Sequence, residues 1–178
     1  DLTFRLKKED EKIISAKRSL SGIRMPQTTE ILRLLRDKSV ESKRLAIYMI
    51  GKFHLSDMLP EVCECLNIRG LETDTASVLS AFGRSVENEL ISFYLVSSGN
   101  INTSKTILRL LAKSSSKESN GFLFSRLWSN SRQLKEIALK CLIDCDFKAL
   151  AEDKDRLHLL ISDIIGLITW NLSAKRSL

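Results

Sequence analysis

The first clear pattern along the chain is a pair of short segments with apolar residues at helical spacing. Residues 29–36 and 41–53 place apolar side chains three or four positions apart, as Ala46 and Ile50 show, and residues 37–39 lie between the two segments. This spacing puts the apolar side chains on one face of a helix. The two segments are therefore predicted to form an αα-hairpin with a three-residue corner.

The helical face centred on Ile50 returns three times further along the chain. Phe82, Leu111 and Leu142 occupy the matching positions, at steps of 32, 29 and 31 residues. Apolar segments that can form the intervening helices lie at 58–66, 86–96 and 122–128. A recurrence of about 30 residues is typical of stacked helical hairpins, because a single pair of short helices cannot bury its apolar face alone.

These recurring faces predict the core and the helix boundaries. Eight apolar residues are expected to be buried: Ala46, Ile50, Val78, Phe82, Ile107, Leu111, Ala138 and Leu142. Glycine favours turns and helix C-caps, so breaks between elements are predicted at Gly22, Gly51, Gly70, Gly83, Gly99 and Gly121. Asparagine favours helix N-caps, which predicts helix starts at Asn102 and Asn130.

Composition agrees with an all-α fold. The 178 residues include two prolines and seven glycines, too few for a turn-rich β-sandwich. The length fits one repeat domain over residues 1–178 with about nine or ten helices. We expect a charged N-terminal capping helix within residues 1–27, about four helical hairpins over 28–147 and further helices over 148–178.

The hairpins resemble repeats of the HEAT family. The second helix of such a repeat typically reads Val-Arg-x-x-Ala-x-x-x-Leu-Gly after a turn that begins with Asp. The matching positions are Asp37, Lys43, Ala46, Ile50 and Gly51 in the first copy and Leu134, Lys135, Ala138 and Leu142 in the last. Pro60 also lies where the first helix of a HEAT unit often has a proline. The resemblance implies a right-handed α-α superhelix, or α-solenoid, that acts as a non-catalytic scaffold for other proteins.

The repeats around residues 76–83 and 134–142 are also similar to HEAT segments appended to some bacterial major-facilitator carriers of the ATP/ADP type. Residues 4–8 are basic, as stretches on the cytoplasmic side of a membrane span often are, and the chain does not begin with Met. We therefore expect the cytoplasmic part of a larger protein. The chain has no uninterrupted apolar stretch of about 18 residues. Its last strongly apolar run, 157–172, is expected to form a helix that either completes the core or docks on a neighbour.

No motif for catalysis or cofactor binding occurs in the sequence. Neither His54 nor His158 lies in a metal-binding His pair, and the sequence contains no Gly-rich phosphate loop or nucleophile elbow. We expect no enzyme activity, no cofactor and no metal. Four cysteines lack the spacing of a zinc site and are expected to be free thiols in a reducing compartment: Cys63, Cys65, Cys141 and Cys145.

The net charge is +6 and is unevenly distributed along the chain. Residues 1–60 and 101–178 each carry thirteen Lys or Arg against eight Asp or Glu, whereas residues 61–100 carry two against six. In HEAT arrays the second helices line a concave face. Seven basic residues at or near that face form the candidate interaction surface: Lys43, Lys52, Lys105, Arg109, Lys113, Lys135 and Lys140. Spread over the whole chain, the charge also fits an ordinary solvated surface.

A protein partner, or a neighbouring domain of the same chain, is the preferred interpretation of this surface. A basic face also suits nucleic acid. Some HEAT-like proteins are DNA alkyl-base glycosylases, which hold a damaged base between tryptophans and an aspartate. The motif of that family does not map onto Trp128 or Trp170. A nucleic-acid-binding cradle is therefore the alternative function.

Overall fold

A computed structural model describes residues 27–97 and 100–176. These residues form nine α-helices and no β-strand, which confirms the predicted all-α class. The helices are α1 (Thr28–Arg36), α2 (Val40–Phe53), α3 (Leu59–Glu64), α4 (Glu72–Ala81), α5 (Glu87–Val96), α6 (Ile101–Ser114), α7 (Lys117–Ser125), α8 (Arg132–Asp144) and α9 (Ala151–Arg176). Short 3-10 turns lie at Ser56–Met58, Cys65–Asn67, Gly83–Val86 and Arg126–Trp128. The predicted N-terminal capping helix lies outside the described residues.

Contacts within the chain divide it after Cys145 into two units. Helices α1 to α8 belong to the first unit and α9 to the second. Several helices are expected over 148–178, but the residues described there form the single helix α9, of 26 residues. Leu159, Ile161 and Ile165 of α9 are exposed. In the described part of the chain, no helix is long and apolar enough to cross a membrane.

The corner between α1 and α2 is the predicted three-residue turn. The Asp37 carboxylate accepts hydrogen bonds from the Ser39 backbone N–H at 3.2 Å and from the Ser42 hydroxyl at 2.9 Å. These bonds, the one from Ser39 foremost, hold the pKa of Asp37 below its usual value. Ser39 in turn caps α2, because its hydroxyl accepts the Ser42 backbone N–H. The turn therefore fixes the direction in which α2 begins after α1.

Helices α2, α4, α6 and α8 are the second members of four consecutive hairpins, and we call them the second-helix row. Each packs against the next one in the row: α2 on α4, α4 on α6, and α6 on α8. Within each hairpin the first helix packs on its own second helix, as α1 does on α2 and α7 on α8. The first helices also touch, since α3 contacts α5 and the rings of Tyr94 and Phe122 join α5 to α7 at a centroid distance of 5.2 Å.

Six of the eight predicted core residues are buried: Ala46, Ile50, Ile107, Leu111, Ala138 and Leu142. Val78 and Phe82 are only half-buried, and the fully buried side chains of α4 are Thr75 and Leu79. The predicted register of this copy is wrong because α4 ends at Ala81, which leaves Phe82 at the C-cap before Gly83 with its φ of +58°. Phe82 instead packs against the His54 ring, with centroids 5.5 Å apart.

Two predicted glycine breaks lie inside helices. Gly51 is within α2 and Gly121 is within α7. Gly70 and Gly83 do lie in turns, with φ values of +89° and +58° that L-residues rarely adopt. The other two predicted breaks, at residues 22 and 99, fall outside the described residues. Gly51 has a packing role, because a Cβ at this position would lie 3.0 Å from Cγ2 of Val78 on α4.

The two predicted N-caps are displaced by one or two residues. Asn100, rather than Asn102, caps α6, since its side-chain oxygen accepts the backbone N–H groups of Asn102 at 3.1 Å and Thr103 at 3.3 Å. Ser131, rather than Asn130, occupies the N-cap position of α8. Asn100 therefore satisfies two of the free donors at the start of α6.

Gly51 and Gly121 provide a matched test of the packing between α2 and α4. Replacing Gly51 with Ala should lower the free energy of unfolding by about 1 kcal/mol, because crowding against Val78 outweighs the gain in helix propensity. Replacing Gly121 with Ala should raise it by about 0.5–1 kcal/mol, since the new Cβ would have no described atom within 4 Å beyond its chain neighbours and the backbone of its own helix. Urea denaturation measures both changes.

The same substitution in a Val78→Ala background isolates the cause. There Gly51→Ala should become stabilising, because the crowding methyl groups of Val78 are gone. A loss of stability that persists without Val78 would contradict the close approach of α2 and α4 at this point.

Candidate functional site

The seven predicted basic residues fall on three helices of the second-helix row. Lys43 and Lys52 lie on α2, whereas the other five lie on α6 and α8: Lys105, Arg109, Lys113, Lys135 and Lys140. Helix α4 lies between these two groups and carries no Lys or Arg, but does carry Glu72 and Asp74. The basic residues therefore form two groups, separated by an acidic helix.

The basic residues of α2 make contacts within the fold. The Lys43 ammonium donates to the backbone carbonyl of Leu35 near the end of α1, where the last carbonyls of a helix lack partners. Next to it, Arg44 forms an ion pair with Asp74 of α4 at 2.8 Å and donates to the carbonyl of Gly70. The Lys52 ammonium lies 5.8 Å from the centre of the Phe53 ring. Lys43 and its neighbour Arg44 thus join α2 to α1 and α4, whereas the Lys52 contact lies within α2.

A groove between α6 and α8 collects three of the remaining basic residues, and we call it the basic groove. Its volume is about 490 Å³. It is lined by Arg109, Ala112, Lys113, Ser115, Ile137, Lys140, Cys141 and Asp144. The three basic side chains and Asp144 are exposed, Ala112 and Ile137 are half-buried, and Cys141 is buried. The groove thus has charged, solvent-exposed edges above a small apolar floor.

The cations of the basic groove are largely unpaired within the described part of the chain. There, Arg109 and Lys140 form no hydrogen bond or ion pair, and Lys113 makes one long hydrogen bond, to the Ser80 hydroxyl at 3.4 Å. Among the residues that the structure describes, Asp144 is the one carboxylate that lines the groove, and α6 contains no acidic residue. Three positive charges against one negative charge give the groove a positive potential.

Lys105 and Lys135 lie outside the groove lining. The Lys105 ammonium donates to the side-chain oxygen of Gln133 at 2.6 Å, which links α6 to α8 near their N-terminal ends. Lys135 is half-buried on α8. The structure therefore brings Arg109, Lys113 and Lys140 together and leaves the other predicted residues elsewhere.

The four cysteines are free thiols. Burial raises the pKa of Cys63 to about 12, with a further increase from the nearby charge of Glu89. Burial also raises the pKa of Cys65 and of Cys141. At Cys141 the carboxylate of Asp144 adds to this increase, and Arg109 and Lys140 partly oppose it. In the residues that the structure describes, no three His, Cys, Asp or Glu side chains are grouped to hold a metal.

Two of the residues weighed as functional, Trp128 and His54, belong to the first unit and do not line the basic groove. The Trp128 ring packs edge to face on Phe124, with centroids 5.0 Å apart, in the 3-10 turn after α7. The Trp170 side chain lies outside the described part of the structure. His54 is the C-cap residue of α2, and His158 lies on α9.

The sequence alone did not reveal the apolar floor of the groove or the separation of the two basic groups. The floor residues come from two helices that are distant in the sequence, with Ala112 on α6 and both Ile137 and Cys141 on α8. Only the packing of α6 on α8 brings them together. The sequence does contain a sign of the separation of the two basic groups, because no Lys or Arg occurs over residues 72–81.

Comparison with known proteins gives no relative for this chain. No protein-family model matches it, no curated protein is significantly similar to it in sequence, and no solved structure is significantly similar to its fold. The candidate function therefore depends on the residues themselves.

Thiol reactivity tests the placement of the cysteines. At pH 8 an aromatic disulfide reagent should modify the half-buried Cys145 first, because a raised pKa leaves Cys63, Cys65 and Cys141 with little thiolate. We expect one reactive thiol in the native protein and four in denaturant. A Cys145→Ser variant should lose the fast phase. Modification of Cys63 as fast as Cys145 in the native protein would contradict the burial of Cys63 in the structure.

Proposed function

We propose that residues 28–145 form a HEAT-like helical-repeat module that binds another protein through its second-helix row and catalyses no reaction. The observation that carries this proposal is the sequence of contacts from α2 to α4, α6 and α8. In a HEAT-like right-handed superhelix, such a row presents one extended helical surface to a partner. The contacts give the order of the helices in the row. The right-handed superhelix is inferred from the HEAT-like residues in the first and last copies.

The chemistry of the basic groove supports binding rather than catalysis. General acid–base catalysis needs a group whose pKa lies near the working pH. The groove lining contains no histidine, and the pKa of its one thiol, Cys141, is raised by burial. Exposed cations around an apolar floor are instead a common arrangement for recognising a partner.

A nucleic-acid-binding cradle is the second candidate, and the three exposed cations of the groove are the observation in its favour. Two features favour a protein partner over it. Helix α4, the neighbour of α6 in the row, carries Glu72 and no Lys or Arg, so a phosphate backbone that continued past α6 would meet a carboxylate rather than cations. Trp128 packs on Phe124 and has no place in the groove, so it is not a base-stacking platform there.

We also propose that the module works on the cytoplasmic side as part of a larger protein. More specifically, we propose that it is a segment appended to a bacterial membrane carrier. Its support is the resemblance of the repeats and the state of the cysteines. Free thiols with raised pKa values suit a reducing compartment, in which disulfides are rare.

Site-specific photocrosslinking tests the choice of surface. A photoreactive amino acid at Lys140, in the basic groove, should capture a protein in cells of the source organism. The same amino acid at Glu118, exposed on the first helix α7, should not capture that protein. Equal capture at the two positions, or adducts at Glu118 alone, would contradict binding through the second-helix row.

A labelled DNA duplex separates the two candidates. The proposal predicts weak duplex binding with a shallow dependence on salt, because only a few phosphates can be neutralised at once. Tight binding with a steep salt dependence, lost when Arg109 and Lys140 are replaced by Glu, would favour the nucleic-acid cradle.

A further inference from the structure

We propose that the basic groove binds a partner segment containing three consecutive acidic residues in extended conformation. This inference rests on the proposed protein-binding function and specifies the chemistry of the partner.

The charge of the groove selects a negatively charged partner. Arg109, Lys113 and Lys140 are exposed, and the described lining contains a single carboxylate, that of Asp144. Elsewhere in the unit the exposed cation Arg132 already has an acidic partner, Glu136, at 2.8 Å. In the described part of the chain, the groove cations form no ion pair. A carboxylate that binds in the groove therefore does not have to displace one.

The spacing of the cations matches an extended peptide. Arg109 and Lys113 are four residues apart on α6, which is about 6 Å along the helix axis. Alternate residues of an extended chain are about 6.6 Å apart and point the same way, while the residue between them points to the opposite side. Two acidic side chains can thus reach Arg109 and Lys113 on α6, and the middle one can reach Lys140 on α8.

The size of the groove favours a short segment over a phosphate backbone. Its volume of about 490 Å³ is that of a small-ligand site, and its floor of Ala112, Ile137 and Cys141 can contact the apolar atoms of a few residues. Tight nucleic-acid binding uses roughly six to ten phosphate contacts, whereas this groove offers three cations and one repelling carboxylate.

A fluorescently labelled peptide with the core Leu-Glu-Glu-Glu-Leu is the probe, and fluorescence anisotropy at low salt is the measurement. The whole chain should bind this peptide, and a peptide with Gln in place of each Glu should bind at least about tenfold more weakly. The triple variant Arg109→Glu, Lys113→Glu, Lys140→Glu should lose at least about tenfold in affinity for the Glu peptide.

The matched control reverses three exposed cations outside the groove, Arg33, Lys38 and Arg69. This variant has the same net charge as the groove variant, so non-specific attraction falls equally in both. It should bind the Glu peptide clearly more tightly than the groove variant does, because the two variants differ only in where the cations were reversed. Equal loss in the two variants would overturn the proposal, because it would assign the binding to net charge alone.

A milder substitution tests the geometry without a charge reversal. Lys140→Gln should weaken binding of the Glu-Glu-Glu peptide, but should not affect a Glu-Gln-Glu peptide, whose middle residue has no charge to offer Lys140. Equal sensitivity of the two peptides would overturn the extended register.

The outcomes also separate this inference from the proposed function. If the acidic peptide does not bind but crosslinking at Lys140 still captures a protein, the peptide proposal is wrong and the interaction module stands. If the groove variant loses duplex binding with a steep salt dependence and the peptide does not bind, both proposals are wrong.

Discussion

The structure of the first unit depends on the packing of each second helix against the next. Ile50, Leu79, Leu111 and Leu142 are the buried residues that recur along this row. Four short hairpins gain a continuous core only through these contacts, since none of them has enough apolar surface to fold alone. At the first contact α2 and α4 approach closely, because a Cβ on Gly51 would lie 3.0 Å from Cγ2 of Val78.

The same packing decides which charges stay free. Where α2 meets α1 and α4, Lys43 and Arg44 are used to satisfy a carbonyl and a carboxylate. Where α6 meets α8, Arg109 and Lys140 have no such partner among the described residues, and they remain at the edge of a groove. Residues that look alike in the sequence thus hold the fold together at one end of the row and are available for a ligand at the other.

Local sequence patterns predicted the helices and the first corner, because both depend on neighbouring residues. Asp37 and Ser39 form their hydrogen bonds within five positions of the chain. The register of α4 was not predictable in the same way, since Phe82 continues the apolar pattern but lies beyond the helix end before Gly83. The role of Gly51 and the composition of the groove depend on residues from different helices, which no local pattern contains.

Native-state hydrogen exchange is the most direct test of the claim that the second-helix row is the structural core. Helices α5 and α6 belong to one hairpin, but α6 also packs on α4, α7 and α8 and contains the fully buried Ile107, Leu108 and Leu111. The account predicts that the amides at the centre of α6 exchange only on global unfolding and that those of α5 open at a lower free energy. Protection of α5 that equals or exceeds that of α6 would contradict it.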